Sequence, residues 1–357
     1  MRFAFTDEQL WFRDAVRDLL DKECPPEAVR YAWVNEDGRA DHVWEALAEM
    51  GVTGLTLSEA YGGLGLTELD LVLLLEETGR VALPEPIVET TAVAAPLLEA
   101  VGSDELKAAW LPRIAAGEAI VAVGFVGTPF VSHANVADLL VLEREDRLFA
   151  LPAERATIEQ QPSVDGARRL YTVDWNRNDE IPLVSGTEGW HQVNAAFDRG
   201  VLGTAAQLLG LADHLLAVTV DYVKQREQFG VPVGSFQAVK HHLADALLQL
   251  EFARPVVYHA AYSMAHGLDT RSRDVSMAKC YASRAASLVA RKALQCHGAI
   301  GYTVEYDLHL WMKRVWALAA SWGDASYHRR RVALDVLGPP TLPGPSGPEL
   351  RNRSAHA

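Results

Sequence analysis

The stretch Tyr222 to Gln237, YVKQREQFGVPVGSFQ, gathers polar and aromatic side chains at one helix break. Arg226 falls near the end of a long amphipathic pattern. Gly230 suits a left-handed residue that closes a helix, Pro232 cannot continue one, and Phe236-Gln237 opens the next. A helix C-terminus accounts for Arg226, whose charge complements the macrodipole, and for Gly230. It does not account for Gln228, Phe229, Phe236 and Gln237 at the same corner. An arginine, two amides and an aromatic ring converging there suit an adenosine diphosphate moiety. The guanidinium would bind pyrophosphate oxygens, the amides the remaining polar edges, and the ring would pack on adenine or ribose.

The elements that must position this corner follow from periodicity and turn chemistry. Thr6-Asp7-Glu8-Gln9 reads as a capping box before a helix that ends near Cys24-Pro25-Pro26. His42 to Met50 reads as a helix closed by Gly51. Apolar helical stretches follow at Leu66 to Gly79 and Thr90 to Val101, and another helix starts at Ser103-Asp104-Glu105. Short strands are expected at 119–125, 139–143, 148–151, 156–160 and 170–174. Helical periodicity returns at Asn194, with helices over 194–226, 235–266, 271–297, 305–318 and 324–336. The fold class is therefore mostly α with a small β domain. Residues 1–117 form an N-terminal helical domain, 118–193 a reduced β domain and 194–338 a C-terminal bundle of long helices. Residues 339–357, rich in Pro, Gly, Ser and Arg, read as a disordered tail.

Composition bounds the function. The chain has 357 residues, is 49% hydrophobic and carries a formal charge of -14. That charge argues against a nucleic-acid partner, which normally needs a basic face. Cys24, Cys280 and Cys296 are too scattered for a disulfide framework or a zinc site, which suggests a reducing cytoplasm. The N-terminus has no secretory apolar region, and no apolar run approaches a membrane span.

The pattern YxxxRxQFGxPxxxFQ resembles the flavin-binding helix turn of the acyl-CoA dehydrogenases. Gln295-Cys296-His297-Gly298-Ala299-Ile300-Gly301-Tyr302 is similar to the family's QxxGGxGY, with Ala299 in place of the second glycine. Two motifs in register are far more specific than one. Weaker matches lie at Phe5 to Gln9 and at Tyr61 to Gly65, and the resemblance spans roughly residues 3 to 336. It implies an N-terminal helical domain, a central β domain and a C-terminal four-helix bundle. It also implies FAD as cofactor, held by Arg226, Gln228, Phe229, Gln237, Gln295, Gly298 and Ala299.

The reaction side departs from the family. These enzymes remove a proton α to the thioester while the flavin takes a hydride from the β carbon, and the proton step needs a positioned carboxylate. Counted without gaps from Gln295, the usual glutamate position is Trp322, with the neighbouring glycine kept as Gly323. The alternative position, counted back from Tyr222, is Gly200. Neither residue can abstract a proton, so no catalytic residue is assigned. A displaced base would have to be Asp198 or Asp324. The β-domain flavin cradle is reduced to Gly127-Thr128-Pro129-Phe130-Val131-Ser132, followed by His133, and the lysine-x-tryptophan strand is not recognisable. Tyr171 or Trp175 could face a flavin, although an aromatic in a strand is more often core.

In the family the bundle corner reaches across a subunit interface to a flavin in the neighbour. A chain that keeps that corner and loses the base resembles the shorter subunits of the actinobacterial heteromeric acyl-CoA dehydrogenases, which act on bulky CoA thioesters including steroid side chains. The resemblance implies a longer partner subunit in an α2β2 heterotetramer, an acyl-CoA substrate bound mainly by that partner, and electron-transfer flavoprotein as acceptor. Two other readings remain open: a self-sufficient dehydrogenase with a displaced base, and a flavin-free scaffold. Among the histidines, His241-His242 suits a surface or a phosphate, and His297 suits packing at the turn near the flavin. The run His328 to Arg331 suits a solvated face, a CoA phosphate or an acidic partner.

Overall fold

The computed structural model describes residues 4–145 and 147–339. The tail expected over 339–357 lies, apart from Pro339, outside the described residues. The first helix, α1 (Asp7–Glu23), starts at the expected capping box. Thr6 N–H donates to Gln9 Oε1 at 2.9 Å and Gln9 N–H donates to Thr6 Oγ1 at 3.3 Å. The following prolines do more than stop it. Pro26 occupies the first turn of α2 (Pro26–Val34), where its missing N–H has no intrahelical partner to lose. That helix was not anticipated. Next come α3 (Asp41–Glu49), α4 (Glu68–Arg80), α5 (Ala95–Val101) and α6 (Asp104–Ala115). A π-helical turn over Val88–Ala94 leads into α5.

The β domain holds seven strands rather than the five expected. They are β1 (Val121–Gly124), β2 (Val131–Ser132), β3 (Leu139–Arg144), β4 (Arg147–Pro152), β5 (Ala156–Gln161), β6 (Leu170–Trp175) and β7 (Ile181–Ser185). One sheet runs β1-β3-β4-β7, with β1 and β3 parallel. A second runs β2-β6-β5. A small core of Ala122, Leu140, Leu142, Phe149, Leu151 and Tyr171 holds the domain together. Strand β2 is only a pair of residues and exists by virtue of its register with Tyr171 and Leu170. Strand β7 lies on a sheet edge, where Pro182 is tolerated.

The bundle begins earlier than the periodicity suggested. Helix α7 (Gly186–Gln225) starts at Gly186, not at Asn194. Its polar first turns carry no apolar stripe to reveal them. A two-strand hairpin, β8 (Glu227–Gln228) and β9 (Val231–Pro232), then leads to α8 (Gln237–Ala265). The remaining helices are α9 (Arg271–His297), α10 (Leu308–Ala320) and α11 (Ala325–Leu337). The N-terminal domain docks on the bundle where α4 crosses α7, and the approach there is close enough to demand glycine. A Cβ on Gly210 would fall 1.8 Å from Glu76 O, and one on Gly79 would fall 2.1 Å from Gln207 O. Helix α7 is long and apolar enough, by length and composition, to cross a membrane, which corrects the expectation that no run was. In this fold 72% of its most apolar stretch is buried inside the protein, as in the core helix of a bundle.

Candidate functional site

The residues singled out at the helix break do converge. Arg226 caps α7, its N–H donating to Tyr222 O at 2.8 Å. The hairpin beyond it places Phe229 (φ +57°) and Gly230 (φ +78°) at the two turn positions that need left-handed backbone. Gly230 therefore serves a hairpin turn and does not close the helix. Helix α9 ends beside it at Gly298, whose φ of +65° and ψ of -140° suit glycine alone. Between them is a cavity of about 600 Å3 lined by Tyr222, Arg226, Gln228, Phe229, Phe236, His242, Gln295, Gly298 and Ala299, among others. Gln237 is not in the lining; it is exposed in the first turn of α8.

This corner is open, and its guanidinium is unengaged among the described residues, while Gln228 Nε2 donates to Glu227 O at 2.8 Å. Arg226 is exposed and has no ion pair among the described residues. Phe229 is 93% exposed and packs only edge-on to Phe236, with ring centroids 6.2 Å apart. A bulky side chain at positive φ is disfavoured, and here only the hairpin pairing holds its backbone, with no burial of the ring among the described residues. His242 also faces the cavity. Lys292 Nζ donates to its Nδ1 at 2.7 Å, which leaves Nε2 as the ring's donor. His297 behaves as packing. It is buried, donates from Nδ1 to Ala293 O at 2.8 Å and stacks on Tyr222, and burial lowers its pKa. An unpaired guanidinium, amides and exposed aromatic rings around one cavity fit the phosphates and adenosine of FAD.

The two positions where a base was sought meet in space. Trp322, at φ +56°, is buried against Phe125 and Phe197, and a Cβ on Gly200 would fall 2.6 Å from its indole. The indole occupies the place that either carboxylate would need. Gly200→Ala is accordingly expected to destabilise the chain by about 1–3 kcal/mol through overpacking. The same change should cost little when Trp322 is already alanine, a coupling that denaturation midpoints of the double-mutant cycle would read. Equal cost in both backgrounds would refute the contact.

Neither alternative carboxylate is free. Asp198 is buried and accepts hydrogen bonds from Arg331 Nη1 and Ser272 Oγ. Asp324 caps α11, accepting from Tyr327 N–H at 2.8 Å. The basic run is not a solvated face throughout: His328 is fully buried and Arg331 turns inward to Asp198. His328 Nε2 donates to Trp322 O at 2.8 Å, and burial pushes its pKa down to about 4, keeping it neutral. Lys279, also fully buried, donates to Leu318 O at 2.6 Å and Ala319 O at 3.2 Å, and desolvation pulls it to about 7. Together they pin the end of α10 and the turn that carries Trp322.

Thr128 and Ser132 line a second cavity, of about 410 Å3, between the β domain and the end of α10. Trp322 and Gly323 line it too. Thr128 is used locally, its hydroxyl donating to Phe125 O at 2.8 Å. His133 is buried at φ +58° with neither ring nitrogen partnered, and desolvation lowers it to about 3. Tyr171 belongs to the β-domain core, and Trp175 packs on Phe149 and donates to Glu180 at 2.9 Å; neither faces this cavity. Sequence reasoning missed Glu89 and Arg168, which do. The only signal for Glu89 was a lone carboxylate inside the apolar run 86–96.

Residues 6–118 match the N-terminal domain of the acyl-CoA dehydrogenases, and residues 187–337 match their C-terminal domain. The acyl-CoA dehydrogenase IpdE2 of Mycolicibacterium smegmatis is 34% identical, over 93% of this chain and 100% of its own. The chain belongs to the acyl-CoA dehydrogenase family. It is an oxidoreductase of that family, mostly helical with a small β domain. Its fold is shared with the ChsE4-ChsE5 complex of Mycobacterium tuberculosis at a TM-score of 0.84 and 23% identity, covering 95% of this chain and 100% of that one. It is shared also with a glutaryl-CoA dehydrogenase from Mycobacterium smegmatis in complex with FADH2. There the TM-score is 0.82 and the identity 19%, over 94% and 96% of the two chains.

Proposed function

We propose that this chain is a subunit of a heteromeric FAD-dependent acyl-CoA dehydrogenase that completes the flavin site of a longer partner. The observation that carries the reading is the contrast between its two halves. The Arg226 corner offers an unengaged guanidinium and an exposed ring, as a surface waiting for a second chain would. The two base positions are filled by Trp322 against Gly200. The self-sufficient alternative is disfavoured because Asp198 is tied to Arg331 and Asp324 to a helix cap.

On this reading Arg226 neutralises pyrophosphate charge, and Gln228 and Gln295 bind polar edges. Phe229 and Phe236 cover an apolar face and exclude water. FAD held there would supply the acceptor for the hydride that leaves the acyl β carbon. The α proton goes to a carboxylate of the partner, which also binds most of the acyl-CoA. Bulky thioesters such as steroid side-chain CoA esters are the proposed substrates, electron-transfer flavoprotein the proposed acceptor and the cytoplasm the proposed location. Native mass spectrometry of the co-expressed complex, with flavin quantified after release, tests the subunit role. The expected result is two flavins per four chains. Four flavins, or a flavin-loaded homotetramer of this chain, would overturn it.

A further inference from the structure

Arg226 carries the only fixed charge among the residues lining the 600 Å3 cavity. A pyrophosphate diester carries two negative charges at neutral pH, so on the flavin reading of this corner the lining matches only one of them. Lys292 supplies a second positive charge from just behind the wall. It lies one helical turn before Gln295 and Cys296 on α9 and shares the face with which they line the cavity. Its Nζ reaches His242 Nδ1 at 2.7 Å, and it forms no ion pair among the described residues. Its charge is felt inside the cavity: burial raises the pKa of the Cys296 thiol, and Lys292 opposes that shift.

His242 meets Lys292 from α8, where it shares a face with Ala238 and Val239 and lines the cavity with them. An ammonium has donors and no acceptor, so this bond fixes Nδ1 as the acceptor and leaves the ring's one proton on Nε2. Without the bond a neutral imidazole divides between two tautomers, and only one of them donates from Nε2. The ammonium behind the ring also polarises it and strengthens the Nε2–H donor, which favours an anionic oxygen over a neutral one. Joining α8 to α9 does not require this pair, because a shared apolar core that includes Leu250, Val257, Ala282 and Val289 already holds the two helices. We infer that Lys292 is a positioning residue for the flavin corner: it holds His242 in the Nε2–H tautomer, and His242 donates to a phosphate oxygen of the cofactor. Arg226 and the Lys292–His242 pair together then match the two charges of the pyrophosphate. The inference rests on the reading of this corner as a flavin site.

The test uses the co-expressed complex freed of flavin. FAD is titrated by fluorescence, with ADP and adenosine as competitors and a melting curve for each variant. His242→Leu is expected to weaken FAD and ADP by about tenfold, the scale of a lost charge-assisted hydrogen bond. Adenosine, which has no phosphate, should bind as it does to wild type. His242→Gln keeps an N–H at the reach of Nε2 and should stay within about threefold of wild type. Lys292→Met should weaken FAD and ADP in the wild-type background and cost nothing further beside His242→Leu, as a group acting through the ring must. A purely structural tie between α8 and α9 would instead lower the melting temperature and weaken all three ligands alike. Unchanged FAD affinity in His242→Leu, an equal loss for adenosine, or a full Lys292→Met effect beside His242→Leu would each overturn the inference. A flavin count other than two per four chains would overturn the subunit reading, and the ratio of wild-type to His242→Leu affinity would still decide this inference. A wild-type complex that binds neither FAD nor ADP would overturn both.

Discussion

Purified without a partner, this chain will oxidise acyl-CoA at least about 10²–10⁴-fold more slowly than a family member with its carboxylate in place, the usual cost of losing a positioned general base. Gly200 and Trp322 lie against each other, so the two places where a base is sought are one filled volume. Asp198 cannot take over without releasing Arg331 and Ser272, and Asp324 cannot without uncapping α11. The check is turnover of the isolated chain with an artificial electron acceptor and added FAD. Turnover at an ordinary family rate, lost in Asp324→Asn while the melting temperature holds, would establish the displaced-base reading instead. Loss in Asp198→Asn is informative only with the same stability control, because that change leaves Arg331 without its buried carboxylate partner.

In the assembled complex, Arg226→Ala will weaken FAD binding by about tenfold or more. A charge-assisted hydrogen bond to pyrophosphate is worth roughly 1.5–3 kcal/mol. Gln295→Ala, which removes a neutral amide, will cost less. The geometry makes this a clean experiment. Arg226 is exposed and unpaired among the described residues, and Phe229 is 93% exposed, so truncating either removes almost no packing from the fold. Surface changes of this kind usually stay within about 0.5 kcal/mol of wild-type stability. Flavin loss with unchanged unfolding therefore reports on the interface. The measurement is the flavin dissociation constant by fluorescence on dilution, beside a melting curve of the same sample. Variant complexes that keep flavin through dilution and gel filtration as wild type does would remove Arg226 and Gln295 from the site.

Sequence by itself determined the order of helical and β segments and the convergence of the two motifs at the Arg226 corner. The capping box at Thr6 and Gln9, the α4 and α9 stripes, and the break from Gln225 to Phe236 are all written in residues close together along the chain. Helix periodicity and turn chemistry act over that range, so local reading suffices. The corner was legible for the same reason, because each of its two motifs is one contiguous turn. Even there the backbone detail was tertiary: Gly230 turned out to serve a hairpin.

Only the tertiary structure decided what the reaction side holds. The contact of Gly200 with Trp322 joins α7 to the turn after α10. The pairing of Asp198 with Arg331 joins residues 133 positions apart. His328 and Arg331 looked like a solvated basic run, and the packing of α11 on α9 turned both inward. Strand β7 is apolar but short, edge-paired and interrupted by Pro182, and the first turns of α7 lack an apolar stripe, so neither is marked by a local pattern. Glu89 is the clearest case. A lone carboxylate in an apolar run says only that something must compensate its burial. That it faces Arg168 across a cavity follows from how the N-terminal domain, the β domain and α10 meet, which no local pattern encodes.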